Sequence, residues 1–98
     1  MNKSDVILVN VTEEIVRGLV SFMLRGPEYQ AFCNCIICET DVIALTLNAL
    51  PTKYVSNPEM RNAAFSELNT PENIELINRE IIRAIYIVAR RPKHTTDF

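Results

Sequence analysis

The strongest constraint on the fold is the last long segment of the chain. Thr70-Pro71-Glu72 is a helix start: a capping hydroxyl, a proline at the first helical position, then an acid in the first turn. Ile74, Ile77, Ile81, Ile85 and Val88 follow at steps of three and four, the spacing of one helix face. The run should end near Arg90, ahead of Pro92. A helix of about twenty residues spans about 30 Å, so a chain of 98 residues is expected to be a single domain, 1–98, built around it. Arg79, Arg83, Tyr86 and Arg90 line the opposite face. Leu76, Ile82 and Ile87 fall outside the main apolar stripe, and a short monomeric bundle has trouble burying them. This predicts that the last helices pack together in a symmetric homodimer.

The rest of the chain also reads as helix. Val6-Ile7-Leu8-Val9 is either an edge strand or the lead-in to a helix. Asn10 and Thr12 are good N-caps, and Glu13 and Glu14 suit a helix N-terminus. A first helix is predicted from about residue 12 to 25. Ile15, Leu19 and Phe22 form one stripe and Val16, Val20 and Met23 the adjacent one, before Gly26-Pro27. Residues 27–39 read as a cysteine-bearing loop. Thr40 then caps a second helix, with Asp41 in its first turn, which Pro51 stops near Leu50. Lys53-Tyr54-Val55 is short and β-prone, and Ser56-Asn57-Pro58 reads as a turn. The stretch 60–66 is either a second short strand pairing with 53–55 or irregular. The expected class is therefore mainly α: three main helices with a short β-hairpin, dimerising, and a mobile tail at 93–98.

Composition narrows the function. Ten basic against twelve acidic side chains give a net charge of −2, which argues against coating nucleic acid, and no direct DNA binding is expected. No apolar run approaches the ~20 residues that span a bilayer. Val6 to Val11 is too short for a secretory signal core and is flanked by acids. A cytoplasmic protein is the simplest reading, and its thiols would stay reduced.

All three cysteines, Cys33, Cys35 and Cys38, lie within six positions. Thiolates are soft ligands that suit zinc, and a short loop can wrap three around one ion. Structural zinc wants a fourth ligand. Asp41, the lone His94, a water or a neighbouring chain are the candidates. The plain alternative is a reduced, partly buried thiol cluster without metal. Thiol redox sensing is a third reading, with a disulfide formed among the three on mild oxidation. With no histidine nearby, a catalytic nucleophile is not expected, and no catalytic residue is assigned. Asp41, Leu45 and Asn48 share a helix stripe; Asp41 is read as bracing the cysteine loop and Asn48 as tying down the Pro51 turn. The face bearing Arg79, Arg83, Tyr86 and Arg90 can grip phosphate and stack on a base, or be an ordinary solvated face with Glu75–Arg79 as a pair. Lys53 and Tyr54 pose the same question on a smaller scale.

Taken together, the pattern resembles the late competence development protein ComFB family. The resemblance is carried by Asn10, Glu13-Glu14 and Val16, by Cys33-x-Cys35-x2-Cys38, and by Asp41-Val42-Ile43-Ala44-Leu45-Thr46-Leu47-Asn48-Ala49-Leu50-Pro51-Thr52-Lys53-Tyr54-Val55. It implies a small, mainly helical, cytoplasmic bacterial homodimer that is not an enzyme. It also implies zinc on the cysteines in at least some members, and cyclic di-GMP recognition in members from several bacterial groups. The chain departs from the family form at Thr52, where a second proline is common, and at 56–66. It has no cysteine near the C-terminus. The candidate nucleotide contacts are Lys53, Tyr54, Arg61, Arg79, Arg83 and Arg90. Cyclic di-GMP calls for arginines on phosphate or the guanine Hoogsteen edge, an acid on the Watson–Crick edge and a flat group for stacking.

Overall fold

The computed structural model describes residues 6–90. It holds four helices and one antiparallel pair of two-residue strands. In chain order these are β1 (Val9–Asn10), α1 (Val11–Leu24), a 3-10 turn (Pro27–Tyr29), α2 (Ile36–Asn48), β2 (Tyr54–Val55), α3 (Pro58–Leu68) and α4 (Pro71–Arg90). The mainly α class and the α4 boundaries match the sequence reading. The predicted mobile tail and His94 lie outside the described residues.

α4 begins as its sequence dictates. The Thr70 hydroxyl accepts the Asn73 amide at 3.2 Å, Pro71 opens the first turn, and Glu72 follows. Its buried face is Ile77, Ile81, Ala84, Ile85 and Val88, and it packs chiefly on α2, which in turn packs on α1. α1 contributes Val11, Ile15, Val16, Val20 and Leu24 to this core, and α2 contributes Cys38, Val42 and Ile43. Each such side chain stabilises the fold by about 1.5–3 kcal/mol relative to exposure. Phe22 does not join the core stripe expected of it; it is 78% exposed.

The stretch 60–66 is helical, inside α3, rather than a strand. The Asn57 side chain accepts the Met60 amide at 2.8 Å and Pro58 fills the first position, so the residues read as a turn form a helix cap. The partner of β2 is β1, with Val9 opposite Val55 and Asn10 opposite Tyr54. Two further bonds extend the pairing: the Ile7 amide donates to the Ser56 carbonyl at 3.1 Å, and the Val11 amide to the Lys53 carbonyl at 2.7 Å.

Asn10 occupies the N-cap position of α1, yet its side chain does not cap. Its Oδ1 accepts the Lys53 amide at 2.8 Å, across 43 residues of chain. The Thr12 hydroxyl donates to the Pro51 carbonyl at 3.0 Å. Asn48 is exposed, so Thr12 rather than Asn48 holds the Pro51 turn. Two polar side chains at the start of α1 thus fix the loop that follows α2.

Candidate functional site

The cysteine cluster straddles the junction of loop and helix. α2 starts at Ile36, four residues before the predicted cap at Thr40, because Cys35 itself caps it. Its sulfur accepts the Cys38 amide at 3.4 Å, replacing the oxygen of an ordinary cap. The cysteines form a graded series: Cys33 is exposed, Cys35 half-buried and Cys38 a member of the core. Their three sulfurs all lie within 4.8 Å of one another. The Cys38 amide, and then the neighbouring thiols, hold the Cys35 thiol below its ordinary value. Burial pushes Cys38 up to about 12.

The donor set fits three of the four positions of a zinc ion. Zinc–sulfur bonds of about 2.3 Å place tetrahedral sulfurs about 3.8 Å apart, and small side-chain rotations reach that from the observed spacing. No carboxylate of the described residues joins the cluster, Asp41 included. Asp41 is half-buried, and one of its carboxylate oxygens is enclosed without a hydrogen-bond partner, so the expected brace to the cysteine loop is not formed.

A second group of polar side chains gathers where β1 runs into α1. Leu8, Val9, Asn10, Glu13, Glu14, Arg17 and Tyr54 line a cleft of about 210 Å³ there. Glu13 accepts from the Arg17 guanidinium at 2.8 Å along the helix. On the other side of the β pair, Thr12, Pro51, Lys53, Glu67, Leu68 and Ile77 are among the residues lining a cleft of about 240 Å³. Lys53 and Glu67 form an ion pair at its rim, 3.2 Å apart. Strand alternation explains the division: Lys53 and Tyr54 are neighbours in sequence and point to opposite faces.

The predicted nucleotide residues are not brought together. Lys53 and Tyr54 line separate clefts, and neither cleft includes Arg61, Arg79, Arg83 or Arg90. Arg61 is engaged between helices: it donates to Glu14 of α1 at 2.9 Å and lies over the Phe65 ring, 5.1 Å from its centroid. Arg79 and Arg83 make only long pairs with Glu75 (3.7 Å) and Glu80 (3.9 Å) on the exposed face of α4, which Arg90 and Tyr86 share.

The family profile for late competence development protein ComFB matches residues 9–92, a span holding the thiol cluster and every residue of the two clefts named above except Leu8. The chain belongs to the ComFB family. Among solved structures it is similar to the late competence protein ComFB from Bacillus subtilis, with a TM-score of 0.74, 23% identity, and coverage of 89% of this chain and 96% of that one. At that identity the likeness speaks for the fold. No match was found among the curated proteins.

Within the ComFB fold, the residues that carried the resemblance have separate places. Asp41 to Asn48 is the body of α2, Pro51 to Lys53 is the loop held by Thr12 and Asn10, and Tyr54-Val55 is β2. Glu13, Glu14 and Arg17 form a polar group with Tyr54 that sequence reasoning missed. Glu13 and Glu14 follow Asn10 in the resemblance itself, but their fit to a helix N-terminus accounts for them locally. The pairing of β1 with β2 is what places them beside Tyr54.

Proposed function

We propose that this ComFB-family chain is a non-catalytic regulatory protein that works as a homodimer and binds cyclic di-GMP. The observation that carries this reading is the 210 Å³ cleft beside β1. It collects a flat ring (Tyr54), carboxylates (Glu13, Glu14) and a guanidinium (Arg17), the three groups a guanine requires. Its size falls below the roughly 300–1,000 Å³ of pockets that enclose a whole drug-sized ligand. One such cleft suits one base. The ligand carries two guanines, and a symmetric dimer would offer two equivalent clefts. The basic face of α4, with Arg79, Arg83 and Arg90, would supply phosphate contacts, and Lys53 would lie on the neighbouring face of the β pair.

Calorimetry on the full chain tests this. Saturable binding with one ligand per two chains is expected, weakened at least tenfold by Tyr54→Ala and by Arg17→Ala. Absence of heat and of saturation at tens of micromolar ligand would count against it.

A second reading, compatible with the first, is a structural zinc protein acting through protein contacts. The three sulfurs within 4.8 Å favour it. Cys33, Cys35 and Cys38 would hold the ion, which would supply a rigid cross-link between the loop and α2; a water or a neighbouring chain would complete the shell. One zinc per chain, kept through dialysis and lost in Cys35→Ser, is the expected metal analysis. Freshly purified, reduced protein without metal would remove this reading.

A further inference from the structure

The dithiol Cys35-Ile36-Ile37-Cys38 at the start of α2 has a second chemistry open to it besides holding a metal. Cys35 is the N-cap of α2 and Cys38 stands three residues on, in the first turn. Cys35 has extended backbone (φ −68°, ψ 164°) and lies outside the regular helix, so the pair is not held at the spacing of two residues within one. A disulfide joins residues whose Cβ atoms lie about 3.5–4.5 Å apart. The Cys35 sulfur is already turned inward, accepting the Cys38 amide at 3.4 Å, and the two sulfurs lie within 4.8 Å. Side-chain rotation, with a small backbone adjustment at the cap position, closes that gap to the ~2.05 Å of a disulfide and leaves the body of the helix in place. Cys33 stands differently. It precedes the helix in the loop and is exposed. Its sulfur shares the 4.8 Å cluster, but it sits in the loop and is not part of the helix end that sets Cys35 against Cys38.

Access also differs between the two thiols of the pair. Cys38 is 1% exposed and packed in the core, out of reach of a bulky oxidant or a second protein. Cys35 is half-buried at the surface of the helix end. A reagent in solution therefore meets Cys35 first, and Cys38 is positioned to attack whatever forms there.

We propose that Cys35 and Cys38 form a reversible dithiol–disulfide couple, with a hydroperoxide as oxidant and Cys33 left outside the bond. In the first step the Cys35 sulfur attacks the distal peroxide oxygen. The O–O bond breaks, Cys35 becomes a sulfenic acid, and the remaining oxygen leaves as water or alcohol. In the second step the Cys38 sulfur attacks the Cys35 sulfur, the S–O bond breaks, and water leaves as the disulfide forms. Two thiols lose two electrons and two protons, and hydrogen peroxide becomes two waters. A small dithiol reverses the change by exchange through a mixed disulfide. The oxidised pair no longer offers two of the three sulfurs a metal would need, so oxidation and metal binding exclude each other.

The test uses the full chain, reduced, freed of metal with a chelator, and treated with one equivalent of hydrogen peroxide. After quenching with iodoacetamide, the expected product has lost two hydrogens, carries a single alkyl group at Cys33 by tandem mass spectrometry, and regains two alkylatable thiols with dithiothreitol. Cys33→Ser should form the bond at a rate within about twofold of the parent chain. Cys35→Ser, which keeps a capping atom for the Cys38 amide, should lose its two hydrogens at least tenfold more slowly. Three alkylatable thiols in the treated parent chain, a bond mapped to Cys33, or a Cys33→Ser variant that stays reduced would each overturn the proposal. None of these outcomes depends on cyclic di-GMP or zinc being a ligand.

Discussion

Cys38 is one residue serving two demands. Its side chain fills the core between α1, α2 and α4, and the same burial holds its thiol protonated up to about pH 12. The sign of the resulting pH effect follows. Below the ordinary value of 9.0, folded and unfolded chains both keep the proton. Between 9 and 12 the unfolded chain releases it and the folded chain does not, so folding loses stability as pH rises, no more steeply than about 1.4 kcal/mol per pH unit. Cys35 acts with the opposite sign: its lowered value favours the folded state as pH rises toward 9, and its contribution is constant above that. The urea midpoint of reduced, metal-free protein should therefore fall between pH 9 and 11, and fall less in Cys38→Ala. Parallel curves for the two proteins would contradict this. Asn10 supplies a second prediction at this scale. Asn10→Ala leaves the Lys53 amide without the acceptor it has at 2.8 Å, which should cost about 1–3 kcal/mol in chemical denaturation.

At the scale of elements, α4 was the most legible part of the sequence because cap, proline and periodicity agree there. α1 was legible to within a residue at each end. α3 was not, because only Ala64 is buried from it and so no apolar stripe marks it. Its existence rests on the Asn57 cap, the Pro58 start and ordinary helix propensity. The α2 start was missed because a sulfur takes the place usually held by an oxygen. The β pairing was illegible for another reason: its strands are separated by two helices, and nothing local in 53–55 names a partner 45 residues upstream. The cysteines of the candidate site were plain from their spacing, whereas the Glu13, Glu14, Arg17 and Tyr54 group exists only once that pairing forms. Two substitutions test these assignments. Ile81→Ala, at a side chain wholly enclosed by the core, should lose about 2–5 kcal/mol of stability. Asn57→Ala should lose about 1 kcal/mol, with reduced amide-exchange protection confined to the start of α3. An unchanged midpoint in either variant would show that the packing or the cap is misassigned.

At the scale of the whole molecule, the helix directions gather apolar surface at one end. α4 begins beside Leu50 and Pro51, at the end of α2, as the shared cleft shows. It therefore ends beside the start of α2, where Tyr29 lies close enough for Tyr86 to help raise its phenol above the ordinary value, after desolvation and Glu28. α1 starts at Pro51 and so also ends there. Phe22, Ile36, Ile37, Tyr86 and Ile87 are thus exposed at the cysteine end of the bundle, with Ile82 one turn back along α4. Exposed apolar side chains gathered at one end of a bundle are candidates for a contact site. These side chains are the surface the proposed homodimer would use, and a twofold dimer requires that surface to be self-complementary. Ile87→Glu places charge there without touching the core, because Ile87 is 48% exposed in the single chain. Light scattering at micromolar concentration should give twice the chain mass for the parent protein and the chain mass for Ile87→Glu, with the same far-ultraviolet circular dichroism. A monomeric parent protein that still binds the nucleotide would remove the dimer from the mechanism and leave each cleft to act alone.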